Sequence, residues 1–328
     1  MNTFKSFVPE IYEVNEQTFA RIALEVFLFQ AQHNPVYSSF IRHLRINPAS
    51  VARIDDIPFL PISFFKTHEI QSGQWQSETI FTTSGTTGAT PGRHLVYSVD
   101  EYKAHARRCF EQFFGPLNNC HFLALLPSYL EREGSSLIAM IDHFIRESGS
   151  NESGFYLRDH ASLVERIEKL AAGPRKVVLW GVSFALLDLA SEGIRDFSHC
   201  MIFETGGMKG RRKEITRQEL HDTLKQTFSV DKIFSEYGMT ELFSQAYTTG
   251  GLRFYCPPAM RVIGRELSDP FSKGIVGETC GLNVIDLANW RTISFIETED
   301  VGRVFNDGSF EVTGRIDNSE VRGCNLMI

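Results

Sequence analysis

Between residues 98 and 237, short apolar runs alternate with capped helical stretches, and this alternation restricts the fold more than any other feature of the chain. Residues 121–126, 176–180 and 200–203 read as buried strands, the first ended by Pro127. Ser98-x-x-Glu101 and Thr216-x-x-Glu219 match the capping box that opens a helix. Residues 135–147 and 161–171 read as further helices. Near-continuous apolar strands separated by helices of this length call for a sheet covered on both faces. The expected class is α/β.

The flanks read differently. Phe19, Ile22, Ala23, Val26 and Phe27 give residues 15–32 one apolar helical face, and a shorter helix is expected over 37–44. Prolines punctuate 48–61, which reads as an extended wrap. From about residue 250, β-prone pieces such as 292–296 and 310–312 sit among Gly and Asp turns, predicting a smaller β-rich subdomain. The expected organisation is an N-terminal helical and extended wrap (1–75), an α/β nucleotide-binding core (76–250), a β-rich subdomain (251–313), and a hinge-like motif with a tail (314–328).

Composition excludes several classes. Over 328 residues the formal net charge is −7, and the one basic cluster, residues 209–213, has no finger-like Cys/His spacing beside it. It reads as a solvated turn, and nucleic acid is not an expected partner. The six cysteines are irregularly spaced, the N-terminus lacks a leader pattern, and no window approaches 18 apolar residues. Membrane insertion is therefore not expected, and a cytoplasmic setting is. The 27 phenylalanines imply an aromatic interior, or an apolar pocket, or both.

The most unusual local stretch is Thr82-Thr-Ser-Gly-Thr-Thr-Gly88, which follows a β-prone run, Glu78-Thr-Ile-Phe81. Its glycines permit a close backbone approach, and its hydroxyls and N–H groups can cradle an anion, with triphosphate the natural occupant. A polar structural loop is the competing reading. The Walker pattern and the Gly-x-Ser-x-Gly elbow are both absent.

Five segments in order carry a resemblance. Thr83-Ser84-Gly85-Thr86-Thr87-Gly88 resembles the phosphate loop of the adenylate-forming (ANL) superfamily of acyl-CoA synthetases, luciferases and peptide-synthetase adenylation domains. Glu204-Thr-Gly206-Gly207 resembles its glycine-rich turn beside the adenine. Tyr237-Gly238-Met-Thr240-Glu241 resembles its Tyr-Gly-x-Thr-Glu signature. Asp300 resembles the acid that grips the ribose, and Gly314-Arg315-Ile-Asp317 its hinge motif. Two departures stand beside the loop: the proline comes one residue late, at Pro91, and Arg93-His94 stand where a lysine often follows.

The resemblance implies ATP and Mg²⁺ as cofactors. Tyr237 would face adenine, Thr240 the α-phosphate, Glu241 the metal and Asp300 the ribose, with Arg315 at the hinge. A substrate carboxylate, fatty or aryl, would attack the α-phosphorus to give an acyl adenylate and pyrophosphate. It also implies the large N-terminal domain of layered α/β subdomains and a smaller β-rich subdomain, without the usual C-terminal domain, because the chain stops at Ile328. The tail Glu320-Val-Arg-Gly-Cys324-Asn-Leu-Met-Ile328 resembles that of acyl-protein synthetases related to the bacterial bioluminescence (LuxE-like) fatty-acid ligases. That branch implies a thioester on Cys324 and an acyl-reductase or other acyl-acceptor protein as partner. The chain also resembles phenylacetate-CoA ligases, which implies transfer to coenzyme A instead. A nucleotide-binding protein without turnover is the third reading.

Overall fold

The computed structural model describes residues 10–83, 90–126, 134–206 and 215–316. The helices are α1 (Glu16–His33), α2 (Pro35–His43), α3 (Phe64–Thr67), α4 (Val99–Phe114), α5 (Ser136–Glu147), α6 (His160–Leu170), α7 (Ser183–Ala190) and α8 (Arg217–Phe228). The strands before residue 200 are β1 (Leu60–Pro61), β2 (Thr79–Thr82), β3 (Arg93–Val96), β4 (Cys120–Leu125), β5 (Gly154–Phe155) and β6 (Lys176–Val182). The later ones are β7 (Cys200–Thr205), β8 (Ile233–Tyr237), β9 (Ala246–Thr248), β10 (Phe254–Tyr255), β11 (Met260–Arg265), β12 (Cys280–Asp286), β13 (Phe295–Val304) and β14 (Phe310–Arg315). They fall into two compact units, 75–257 and 10–74 with 258–316.

In the unit 75–257, β8, β7, β6, β4 and β5 lie side by side in that order and run parallel. Strand β9 returns antiparallel on β8, and β10 on β9. Every residue of β4 and all but the first of β6 are buried, so both faces of the sheet are covered, as the apolar runs require. The helix starts read from the sequence are found in the structure. Ser98 accepts from the Glu101 N–H to start α4, and Thr216 and Glu219 cap α8 reciprocally. Gly115, at φ +86°, takes the left-handed turn that closes α4 at little steric cost.

Aromatic side chains fill this core. Trp180 of β6 stacks on Phe203 of β7 with ring centres 4.7 Å apart and planes 3° from parallel. Phe110 of α4 meets Phe122 of β4, Phe144 of α5 and Tyr247 of β9, two strands and one helix around it. Each such burial contributes about 1.5–3 kcal/mol. Strands β2 and β3 form a separate antiparallel hairpin in the same unit, with Thr82 opposite Arg93.

In the other unit, β11, β12, β13 and β14 form an antiparallel meander. The proline-rich wrap is not uniformly extended. It makes tight helical turns at Pro48–Ser50 and Ile54–Asp56 and then adds β1 to β13 in parallel, Leu60 opposite Ile296. Phe27 of α1 packs edge-on against Tyr37 and Phe295.

Residues 292–294, read from the sequence as strand, form a turn, and β13 begins at Phe295. Side chains from the N-terminal segment take the place of a neighbouring strand there. Gln30 donates to the Trp290 carbonyl at 2.9 Å and accepts from the Ser294 N–H at 3.1 Å. Asn34 and Ser72 both donate to the Thr292 carbonyl, at 2.8 and 2.6 Å. The turn's buried polar groups are thereby satisfied. Among the described residues no helix is long and apolar enough to cross a membrane.

Candidate functional site

The hairpin β2–β3 meets the segment after β8 at one corner of the unit 75–257. Thr83, at the end of β2, accepts from the Gly92 N–H through Oγ1 at 2.7 Å, while its own N–H donates to the Gly92 carbonyl at 3.0 Å. Thr83 and Gly92 are thus clasped at the two ends of the segment 84–91. Glu241 is buried and its carboxylate lies against this clasp. A methyl group added to Gly92 would sit 3.0 Å from Glu241 Oε1 and 3.2 Å from Thr83 Cγ2. Only a residue without a side chain leaves that corner open to the carboxylate.

His94 turns inward from β3. Its ring is fully buried, Nδ1–H donates to the Thr240 carbonyl at 2.7 Å, and the ring packs edge-on against Phe243. It holds the backbone that carries Thr240 and Glu241. The sequence contained no signal for this role, because residues 94 and 240 are joined only by the tertiary fold.

A second group lies at the carboxyl ends of β7 and β8, where parallel sheets place ligands. Gly206 and Gly238 both sit in exposed turns there, and Gly206 takes φ +71°. Beneath them lie two buried carboxyls on adjacent strands, Glu204 and Glu236. Arg217 Nε donates to Glu204 Oε1 at 3.1 Å and Ser183 to Oε2 at 3.0 Å. Burial pushes Glu204 upward, but the His221 ring, the Arg217 charge and Ser235 outweigh it and hold the group below the usual carboxylate range. Glu236 differs. Burial raises it to about 7, the Glu204 charge adds to the rise, and only the Thr205 hydroxyl opposes it.

Tyr237 is itself buried, with its ring tilted against Phe254 at 5.7 Å. The Arg217 guanidinium covers Phe254 at 4.8 Å. One charge therefore serves both Glu204 and the aromatic pair.

In the other unit, Asp300 on β13 stands opposite Arg315 on β14, and Arg315 Nε donates to Asp300 Oδ1 at 3.0 Å. Asp300 is buried whereas Arg315 is largely exposed, 63% by its side chain. Of the remaining sequence-derived candidates, Ser84, Gly85, Thr86, Thr87, Gly88, Gly207, Asp317 and Cys324 lie outside the described residues.

Among the described residues no group of three His, Cys, Asp or Glu side chains is placed to hold a metal ion. A magnesium ion held with nucleotide does not need one, since it takes one or two carboxylates and completes its shell with phosphate oxygens and water. The buried Glu241 carboxylate beside the Thr83 hydroxyl fits that donor set.

No family model matches the chain, and no curated protein matches it. Solved structures do. ATP-bound MatB from Rhodopseudomonas palustris aligns with TM-score 0.54 and 15% identity over 72% of this chain. A 2-hydroxyisobutyryl-CoA ligase in complex with 2-HIB-AMP and CoA, in its thioesterification state, aligns with TM-score 0.67 and 13% identity over 94% of the chain. FadD1, a long-chain-fatty-acid-CoA ligase from Archaeoglobus fulgidus, gives 0.50 and 17% over 75%. The chain spans about half of MatB (47%), 52% of FadD1 and 71% of the hydroxyisobutyryl ligase. It has the α/β fold of the large domain of adenylate-forming ligases.

Proposed function

We propose that this chain belongs to the adenylate-forming enzymes and activates a carboxylic acid with ATP. The observation that carries the reading is the corner where Thr83, Gly92, Thr240 and Glu241 converge, on a fold shared with ligases solved with ATP and with an acyl adenylate. The substrate carboxylate oxygen forms a bond to the α-phosphorus, the bond from that phosphorus to the bridging oxygen breaks, and pyrophosphate leaves. Thr83 and the loop that follows it would bind the phosphates, and Thr240 the α-phosphate. Magnesium bound by Glu241 would neutralise charge on the phosphates as it shifts to the leaving group. Gly206, Gly207 and Gly238 would border the adenine, with Tyr237 beside them. Asp300 would bind the ribose hydroxyls, with Arg315 in the hinge motif.

For the second step we favour coenzyme A as acceptor, because the similar structures are CoA ligases by name and one was solved with CoA. The acid is taken to be fatty or aryl. A thioester on Cys324, passed on to an acyl-acceptor or reductase protein, is the reading that the tail Glu320–Ile328 favours. ATP–pyrophosphate exchange with Mg²⁺ across fatty, aryl and hydroxy acids tests the first step. Exchange that depends on one acid class supports it, and ATP binding without exchange for any acid overturns it. Product analysis with CoA, beside intact mass of the wild type and Cys324→Ala, then separates the two acceptors.

A further inference from the structure

Glu236 has no role in the chemistry above, yet its placement is unusual for a carboxyl. It lies on β8 directly in register with Thr205 on β7, and the Thr205 hydroxyl donates to Glu236 Oε2. Its other oxygen lies over the next turn. A methyl group added to Gly238 would collide with Glu236 Oε1, so no side chain fits at 238 while the carboxyl holds this position. The single side chain thus contacts the strand end that leads into Gly206 and the backbone at Gly238.

The surroundings disfavour a charge on it. Glu204 stands on β7 next to Thr205 and is the ionised member of the pair, compensated by Arg217 and His221 on α8. Tyr247 of β9 lies opposite Glu236 in the antiparallel register and supplies no positive charge. No cation among the described residues forms an ion pair with Glu236. Two carboxyls on adjacent strands, one compensated and one not, divide into an ionised and a neutral member.

We propose that Glu236 is a positioning residue: as the neutral acid it ties the turn after β7 to the turn after β8, and it takes up a proton when an anionic nucleotide binds against these turns. The first half stands on the geometry alone, and the second rests on the proposed function. Linkage has a definite sign. A group raised from 4.5 to about 7 in the folded chain contributes stability that is complete below pH 4.5 and is lost as pH rises through 7. A bound anion opposes ionisation of Glu236 and raises its pKa further, so ATP binding is strongest below about pH 7 and weakens as pH rises through 7, where the free protein loses the proton.

The test compares wild type with Glu236→Gln, which is neutral at every pH and close in shape. In nucleotide-free melts from pH 5 to 8.5, wild-type Tm should fall through the neutral region, while Glu236→Gln should be flat there. In Thr205→Val the inflection should move to higher pH, because the one group that favours the ionised form is removed; this arm holds even if Glu236→Gln does not fold. Calorimetry with ATP in buffers of differing ionisation enthalpy should show proton uptake in wild type and none in Glu236→Gln, with wild-type affinity falling about three- to tenfold from pH 6 to 8. The same melting profile in wild type and Glu236→Gln overturns the tie itself. Absence of ATP binding at every pH, with the melting difference intact, overturns the nucleotide-linked half together with the proposed function and leaves the tie standing.

Discussion

The Nδ1 of His94 on β3 lies 2.7 Å from the carbonyl oxygen of Thr240, 146 residues further along the chain. That one hydrogen bond joins the strand after the hydroxyl-rich loop to the backbone that presents Thr240 and Glu241. Removing the donor leaves a carbonyl without its partner inside the protein, which costs about 1–3 kcal/mol, or roughly five- to 150-fold if the cost falls on the reactive geometry. His94→Phe should lower kcat for ATP–pyrophosphate exchange within that range, with a smaller change in KM for ATP. His94→Asn, which can still donate, should recover much of the loss. Equal activity in His94→Phe and wild type would show that Thr240 is positioned by other contacts.

Gly92 tests the same corner from the side of sterics. Its φ is not in the left-handed region, so an alanine there is tolerated by the backbone and conflicts only with Glu241 and Thr83. Gly92→Ala should displace the Glu241 carboxylate by a few tenths of an ångström. Half-saturation by Mg²⁺ in the exchange assay is expected to rise several-fold, with Tm changed by less than about 3 °C. An unchanged Mg²⁺ requirement would separate Glu241 from the metal.

Asp300 and Arg315 should behave asymmetrically. Because Arg315 is 63% exposed, solvent screens its ion pair, which is worth at most about 1 kcal/mol to folding. Arg315→Ala should therefore melt close to wild type. Asp300→Ala should weaken ATP binding about tenfold or more, since two ribose hydroxyls would lose their acceptor. Calorimetric titration of both variants with ATP reads the difference. A loss of binding confined to Arg315→Ala would reverse the assignment.

Thiol reactivity follows burial. Cys200 is pushed up to about 12, mainly by burial and further by Asp196, and burial also raises Cys120 and Cys280. Since the thiolate is the nucleophile, these three should resist iodoacetamide in the folded chain at pH 8. Cys256, the described cysteine with the greatest exposure, should be alkylated first among the five described. Peptide mapping of a timed reaction checks the order.

Much of the architecture was legible beforehand because its causes are local. Apolar runs of strand length between capped helices give strands β4, β6 and β7 and helices α4, α5, α6 and α8 to within a few residues. The signature Tyr237–Glu241 was also visible, since the residues that carry it are neighbours in sequence. The 292–294 turn was not, because its hydrogen bonds come from Gln30, Asn34 and Ser72, more than 200 residues away.

The amino-acid order by itself therefore determined the α/β class, the helix starts and the chemical types available for the proposed nucleotide site. Tertiary structure alone decided which of those groups work on one another. It turned His94 inward to Thr240, set Glu241 against Gly92, joined the N-terminal segment to the 258–316 meander, and paired Thr205 with Glu236. The physical reason is range. Caps and apolar periodicity act over three or four residues, whereas burial, hydrogen-bond satisfaction and the neutralisation of a carboxyl depend on whatever the fold brings within a few ångströms.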